Sequence, residues 1–438
     1  MKTILFFLLP VVSAAGLYSQ QYEITFAGTG AADVVDSIVV ENLNQGISLT
    51  INGNDILQLN LPTGMYRDAT DNNLLQVYPN PMTDRAEILI PVQESGNISA
   101  TVYDGSGKTV AQSILFLQPG MHKYCITGLN QGIYMIRIQE QRSFCSAKLV
   151  SQSRCYGEAE IAYVSSLILP FCQAQKEIKQ VKSAASTIEM PYNAGDRLKL
   201  TGMSGTFSRV LTAVPSADET ITFNFIECMD ADSNHYPVVT IGSQTWMAEN
   251  LKTTHYFDGN PIPKITSENN WSALSSTDPA YCWYNNDSTT CAQTYGALYT
   301  WSAAMNSAPS STANPSGVQG ACPTGWHLPS DTEWKVLTDF LGGMSVAGGK
   351  LKETGTTHWT GPNTGATNES GFTALPGGGR EHKGSFIYFS EYSAWWCATE
   401  CNTDNSWGRG VYNLDKTVYR LENGGSKGNG ISVRCVKD

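Results

Sequence analysis

Cys322-Pro323-Thr324-Gly325-Trp326-His327-Leu328-Pro329-Ser330-Asp331-Thr332-Glu333-Trp334 decides how this chain is read, because a turn, a strand, a stop and a helix start follow one another within it. Pro323 and Gly325 are turn residues that deliver a short apolar strand, Trp326 to Leu328, and Pro329-Ser330-Asp331 ends that strand. Ser330 is placed as an N-cap with Glu333 three residues on, so hydroxyl and carboxylate can satisfy the free amides of the first helical turn reciprocally. The spacing then predicts a helix to Leu341, with Trp334, Leu337 and Leu341 at i, i+3 and i+7 on one apolar face and Gly342-Gly343 ending it. His327, inside the strand, is expected to be structural.

Around this stretch lies a chain of 438 residues, enough for roughly three domains and a substantial core. Charged residues are only 15% while Gly, Ser, Thr, Asn, Tyr and Trp are plentiful, which suits a β-rich extracellular protein better than a helical cytoplasmic enzyme. The net charge of -11, with no basic run, excludes a nucleic-acid partner and disfavours anionic lipid. Residues 1–20 read as a secretory signal: Lys2 is the positive start, Ile4 to Val12 the apolar run and Ser13-Ala14-Ala15-Gly16 the small residues near a cleavage point. That run is too short to cross a bilayer comfortably and no later one is long enough, so no transmembrane span is expected.

Residues 22 to 61 alternate as strands separated by glycines, with Asn52-Gly53 a strong hairpin signal, and predict an antiparallel meander. Strands return at Arg197 to Leu200, Ser208 to Thr212 and Thr220 to Phe225, where Thr220-Ile221-Thr222-Phe223 echoes Ile24-Thr25-Phe26 and suggests closure of the first sheet around an inserted segment. Cys228 to Ser233 reads as a linker. Within it, Asp230, Asp232 and Asn234 sit at the alternate spacing of calcium loops, but His235 replaces the usual glycine and Ile241 the distal Glu; the competing reading is an Asx-rich turn. No cofactor other than calcium is suggested. No nucleophile elbow, phosphate loop, zinc motif or dinucleotide fingerprint is present, so a catalytic role is not expected.

Val239 to Leu251, Tyr281 to Asp287, Tyr295 to Tyr299, Cys322 to Trp334, Asn368 to Gly378 and the closing Ile431 to Val436 together resemble the Fibrobacter succinogenes major paralogous domain. More distantly they look like the C-type-lectin-like fold of formylglycine-generating enzymes. Val77-Tyr78-Pro79-Asn80-Pro81, Tyr103 to Lys108, Leu129 to Ile138 and Lys148-Leu149-Val150 resemble the sorting domain of type IX secretion substrates, although here it lies in the interior. The resemblances imply a multidomain chain: a β-sandwich-rich N-terminal region over 21–226 with an embedded sorting-like sandwich at about 74–150, then an α+β C-type-lectin-like domain over 227–438. They also imply an exported protein, secreted or on the outer surface of a Gram-negative bacterium.

Eleven cysteines in an exported chain read as disulfides plus one odd thiol. Of the open connectivities, Cys322 with Cys435 follows from the resemblance, since both flank its motifs. Cys282 with Cys291, Cys397 with Cys401, Cys155 with Cys172 and Cys125 with Cys145 are the further expectations, leaving Cys228 unpaired. Cys397 and Cys401 also lie where formylglycine-generating enzymes hold a copper-binding thiol pair, which makes a thiol/copper oxidase the alternative to a plain disulfide. Trp283, Tyr284, Trp359, Tyr388, Trp395, Trp396, Trp407 and Tyr412 supply enough aromatic surface for sugar stacking, with burial in the core as the competing reading. The expected ligand-binding residues are Arg380, Trp396, Trp407 and Arg409, with only one of the Trp395-Trp396 pair outward because adjacent strand residues point to opposite faces. The expected protein is a non-enzymatic binding or adhesion module for polysaccharide or another surface protein, with a purely structural surface component as a further alternative.

Overall fold

The computed structural model describes residues 21–61, 76–78, 80–92, 96–117, 120–139, 144–153, 159–166, 185–421 and 425–438. The expected signal segment, Cys155, Cys172, the Cys145 side chain and most of the stretch from Lys176 lie outside them. The chain divides into two compact units, Met1–Thr63 with Ser183–Asp438, and Gly64–Lys182.

The first unit begins with β1 (Gln21–Gly30), β2 (Ser37–Asn42), β3 (Ile47–Asn52) and β4 (Ile56–Asn60). Their alternation buries one face: Ile38 and Val40 of β2 and Leu57 and Leu59 of β4 are inside while their neighbours are not. The second unit holds β5 (Gln76–Tyr78), β6 (Arg85–Val92), β7 (Gly96–Tyr103), β8 (Thr109–Leu117), β9 (Gly120–Thr127), β10 (Gly132–Gln139), β11 (Phe144–Ser151) and β12 (Glu160–Ser166). They form two four-stranded sheets, β11-β10-β7-β8 and β12-β9-β6-β5. Ile88, Ile90, Tyr124 and Ile126 from one sheet share a buried cluster with Ile98, Ala100, Val102, Ile136 and Ile138 from the other, which makes this unit a sandwich.

The first unit resumes with β13 (Thr187–Pro191), β14 (Leu198–Ser204), β15 (Phe207–Ala213), β16 (Glu219–Phe225), β17 (Val238–Ile241) and β18 (Gln244–Met247). β1 pairs in parallel with β16, Ile24 opposite Glu219, so the first sheet closes as β13-β4-β1-β16. Next come α1 (Glu268–Ser272), β19 (Tyr281–Cys282), α2 (Cys291–Tyr295), β20 (Leu298–Tyr299), α3 (Trp301–Met305), β21 (Trp326–His327), α4 (Asp331–Phe340) and α5 (Met344–Leu351). The chain closes with β22 (Gly379–Arg380), β23 (Phe386–Ile387), β24 (Tyr392–Glu400), β25 (Asn405–Tyr412), β26 (Val418–Arg420), β27 (Gly425–Ser426) and β28 (Val436–Lys437). An eight-stranded sheet, β21-β28-β18-β17-β15-β14-β2-β3, crosses residue 227 without a break, β15 and β17 pairing in parallel through Arg209 and Val238. With many strands, several sheets and five short α-helices, the described chain is a β-rich multidomain protein.

The decisive stretch folds as its residues dictate. Ser330 Oγ accepts the Glu333 amide while Glu333 returns its carboxylate to the Ser330 amide, a complete capping box. Trp334, Leu337 and Leu341 are buried together. Cys322 is bonded to Cys435, closing 113 residues; a loop of that length is worth about 4–5 kcal/mol in the chain-entropy description.

Candidate functional site

Two core clusters meet on the opposite faces of the β24-β25-β26 sheet. Tyr392, Ala394 and Trp396 of β24 point into one, Trp395 and Cys397 into the other. At the open end of the first face stands a group of tyrosines. The register places Tyr392 opposite Tyr412 and Gly410 opposite Tyr419. Gly410 is required there, because a Cβ would lie 2.6 Å from the Tyr392 ring. Tyr392 and Tyr412 stack at 4.4 Å with planes 28° apart, and Tyr388 and Tyr419 meet Tyr412 edge-on at 6.4 and 5.5 Å. Tyr388 is 52% exposed and Tyr419 40%. Tyr392, Tyr412, Leu414, Asp415, Tyr419, Arg420 and Leu421 line a cleft of about 500 Å³.

The loop between β25 and β26, which carries Leu414 and Asp415, is held from beneath by α5. Gly348 and Gly349 let the helix approach it: a Cβ on Gly348 would lie 2.4 Å from the Thr417 carbonyl, and the Gly349 amide donates to the Lys416 carbonyl at 3.1 Å. Lys352, fully buried, donates from Nζ to the carbonyls of Thr364, Tyr412 and Asp415 at 3.1, 2.8 and 2.7 Å. Burial brings its pKa down to about 8 against the upward pull of Asp415. The Asp415 carboxylate accepts the Thr417 amide at 2.7 Å and the Tyr419 hydroxyl at 2.5 Å, so loop and strand are cross-tied at the rim.

The cleft and its supports fall inside a recognised sequence unit. Residues 239–437 match the Fibrobacter succinogenes major domain. Residues 76–152, the sandwich, match the secretion system C-terminal sorting domain, which indicates export to the outer surface or secretion. No curated protein matches the chain. Among the described residues no helix is long and apolar enough to cross a membrane.

Within the major domain the expected binding residues are differently employed. Trp396 is fully buried, as is Trp395: alternation does send them to opposite faces, but both faces are core, so neither is presented to solvent. Arg380 is also enclosed, its guanidinium donating to the carbonyls of Gly384, Ile265 and Thr266 and lying over the Trp271 and Phe386 rings at 4.4 and 4.7 Å. Trp407 and Arg409 do share one face of β25, the face opposite the tyrosines. There Asp331 bridges Arg409 at 2.6 Å and Arg420 at 2.8 Å, and the Arg420 guanidinium covers the Trp407 ring at 3.5 Å. Arg380, Trp407 and Arg409 are thus occupied by internal partners and do not present one open groove. The sequence did signal the cleft: Tyr412-Asn413-Leu414-Asp415-Lys416-Thr417-Val418-Tyr419 is a hairpin with a polar turn and an apolar residue at its tip.

Cys282, Cys291, Cys397 and Cys401 of the major domain are free thiols, correcting both expected local bridges. Cys282 lies on β19 and Cys291 at the start of α2, each packed in an apolar cluster. Cys397 points from β24 into the core while Cys401 lies in the turn beyond the strand. Burial pushes the Cys397 thiol up to about 12 despite the nearby Arg409, the reverse of what a metal-binding thiolate needs. Cys125 of the sandwich is free as well, as is buried Cys228.

At the junction, both Asp230 oxygens accept protein donors: the amides of Asp232 and Asn234, the Asn234 side chain and the Tyr236 hydroxyl. Asp232 accepts from Thr254 and contacts His255 Nδ1 at 2.5 Å. The Asx-turn alternative describes this geometry, and among the described residues no group of three or more His, Cys, Asp or Glu is disposed to hold a metal ion.

Proposed function

We propose that the chain is a non-enzymatic, exported binding or adhesion protein whose major domain is C-type-lectin-like and takes polysaccharide in the tyrosine cleft. The observation that carries this reading is the cluster of Tyr388, Tyr392, Tyr412 and Tyr419, two of them well exposed, beside the carboxylate of Asp415. Sugar C–H faces stack on such rings while hydroxyls seek carboxylate and phenol partners. The lectin-like assignment is supported by two helices, α4 and α5, beside the β24-β25-β26 sheet and by a closing strand, β28, between β18 and β21. Binding is expected to survive EDTA, since the carboxylates of Asp230 and Asp232 already hold protein donors. The test is a glycan array probed with the full exported chain and with Tyr419→Ala. Signals that fall at least tenfold in the variant support the reading. An array on which the chain binds nothing would leave the purely structural surface component as the better account.

A further inference from the structure

The geometry of the tyrosine cleft narrows its ligand, and this step rests on the polysaccharide reading above. A flat stacking platform needs exposed rings in one plane. Here only Tyr392 and Tyr412 are near-parallel, and they form the floor: Tyr392 is buried and Tyr412 half-buried. The exposed rings stand across that floor, Tyr388 at 75° to Tyr412 and Tyr419 at 83°. Tyr419, so set, is a wall of a slot, with Leu414 exposed on the intervening turn and Tyr388 standing at the edge of the floor, outside the lining. A slot admits one solvated chain and excludes a packed sheet of chains.

The charges at the slot are already spent. Arg420 gives Nε and Nη2 to the two oxygens of Asp331 at 3.0 and 2.8 Å, with its plane on Trp407. Asp415 is capped by the Tyr419 hydroxyl and the Thr417 amide. Lys352 lies beneath the loop and is committed to three carbonyls. A uronate or sulfate would find no uncommitted bidentate cation among the described residues of the lining and would approach a chain of net charge -11.

We infer that the cleft binds a single, soluble, neutral polysaccharide chain, and selects against both polyanionic and crystalline polysaccharides.

Affinity electrophoresis of the full chain in gels containing soluble xylan, mixed-linkage β-glucan or polygalacturonate, with a parallel depletion assay on microcrystalline cellulose, tests this. The expected result is retardation by at least one of the two neutral polymers and none by polygalacturonate. Depletion by the crystalline solid should be absent, and retardation should be unchanged between 0.05 and 0.5 M NaCl, since screening weakens only charge-driven binding (~14 to ~4 Å screening lengths). Tyr419→Ala and, because Tyr388 holds a positive φ of 56° that Asn tolerates, Tyr388→Asn should each weaken retardation at least tenfold while melting within a few degrees of the parent. Retardation by polygalacturonate that disappears at high salt, or preferential depletion by crystalline cellulose, overturns the ligand class while leaving a polysaccharide site. Failure of every polysaccharide, here and on the array, overturns the underlying reading as well.

Discussion

His327 shows how one residue ties the decisive stretch together. Burial opposes charge on its ring, but Glu333 at 2.7 Å from Nε2 and Asp438 at 2.7 Å from Nδ1 more than offset it and raise its pKa. Both ring nitrogens can donate only as imidazolium. A raised folded value means that this contribution to stability is complete below about pH 6.5, the unfolded value, and is lost as pH rises through the folded one. The melting temperature of the parent is therefore expected to fall more between pH 6 and pH 8.5 than that of His327→Gln; parallel curves for the two proteins would contradict this role. His327 was legible as structural from its place between Trp326 and Leu328. The Trp395-Trp396 pair was legible only in part: alternation follows from the strand, but burial on both faces depends on which layers cover the sheet, and that is set by residues far away in sequence. Arg380 was misleading for the same reason, since its three carbonyl acceptors lie on segments near 265 and 384.

At the scale of elements, α4 was readable because its cap, apolar face and stop are all local. The disulfide between Cys322 and Cys435 was reached through resemblance, whereas Cys282 with Cys291 and Cys397 with Cys401 were inferred from nearness in sequence, which does not bring thiols together when one sits on a strand facing the core. α5 carries a different kind of signal. Mid-helix glycine costs about 1 kcal/mol relative to alanine, so Gly348 and Gly349 in succession mark a close approach. Gly348→Ala sets that propensity gain against overpacking on the Thr417 carbonyl, which costs about 1–3 kcal/mol. Overpacking is expected to win, lowering stability in urea by up to about 2 kcal/mol and weakening polysaccharide binding as the cleft loop shifts; a more stable variant with unchanged binding would show that α5 does not set the loop.

For the whole molecule, the sorting sandwich is inserted between β4 and β13, which are themselves parallel neighbours, Asn60 opposite Pro191 and Ile56 opposite Thr187. Rejoining them must span roughly 13–14 Å along the strands, within reach of about eight Gly/Ser residues. A chain in which such a linker replaces 64–182 is expected to unfold cooperatively, within a few degrees of the parent, and to keep its polysaccharide binding; loss of the cooperative transition would mean the units are one folding body. The motif order made the major domain and the sandwich legible, while of the cleft only the 412–419 hairpin was, because Tyr392 and its floor come from a strand that this hairpin does not contain. The most direct measurement of the central claim is hydroxyl-radical footprinting of the full chain with and without the polysaccharide that gives the strongest array signal. Protection is expected to concentrate at Leu414 and Tyr419 in the cleft and at Tyr388 on its edge, with oxidation at Trp407 unchanged; protection centred on Trp407, or none at Leu414 and Tyr419, would contradict polysaccharide binding there.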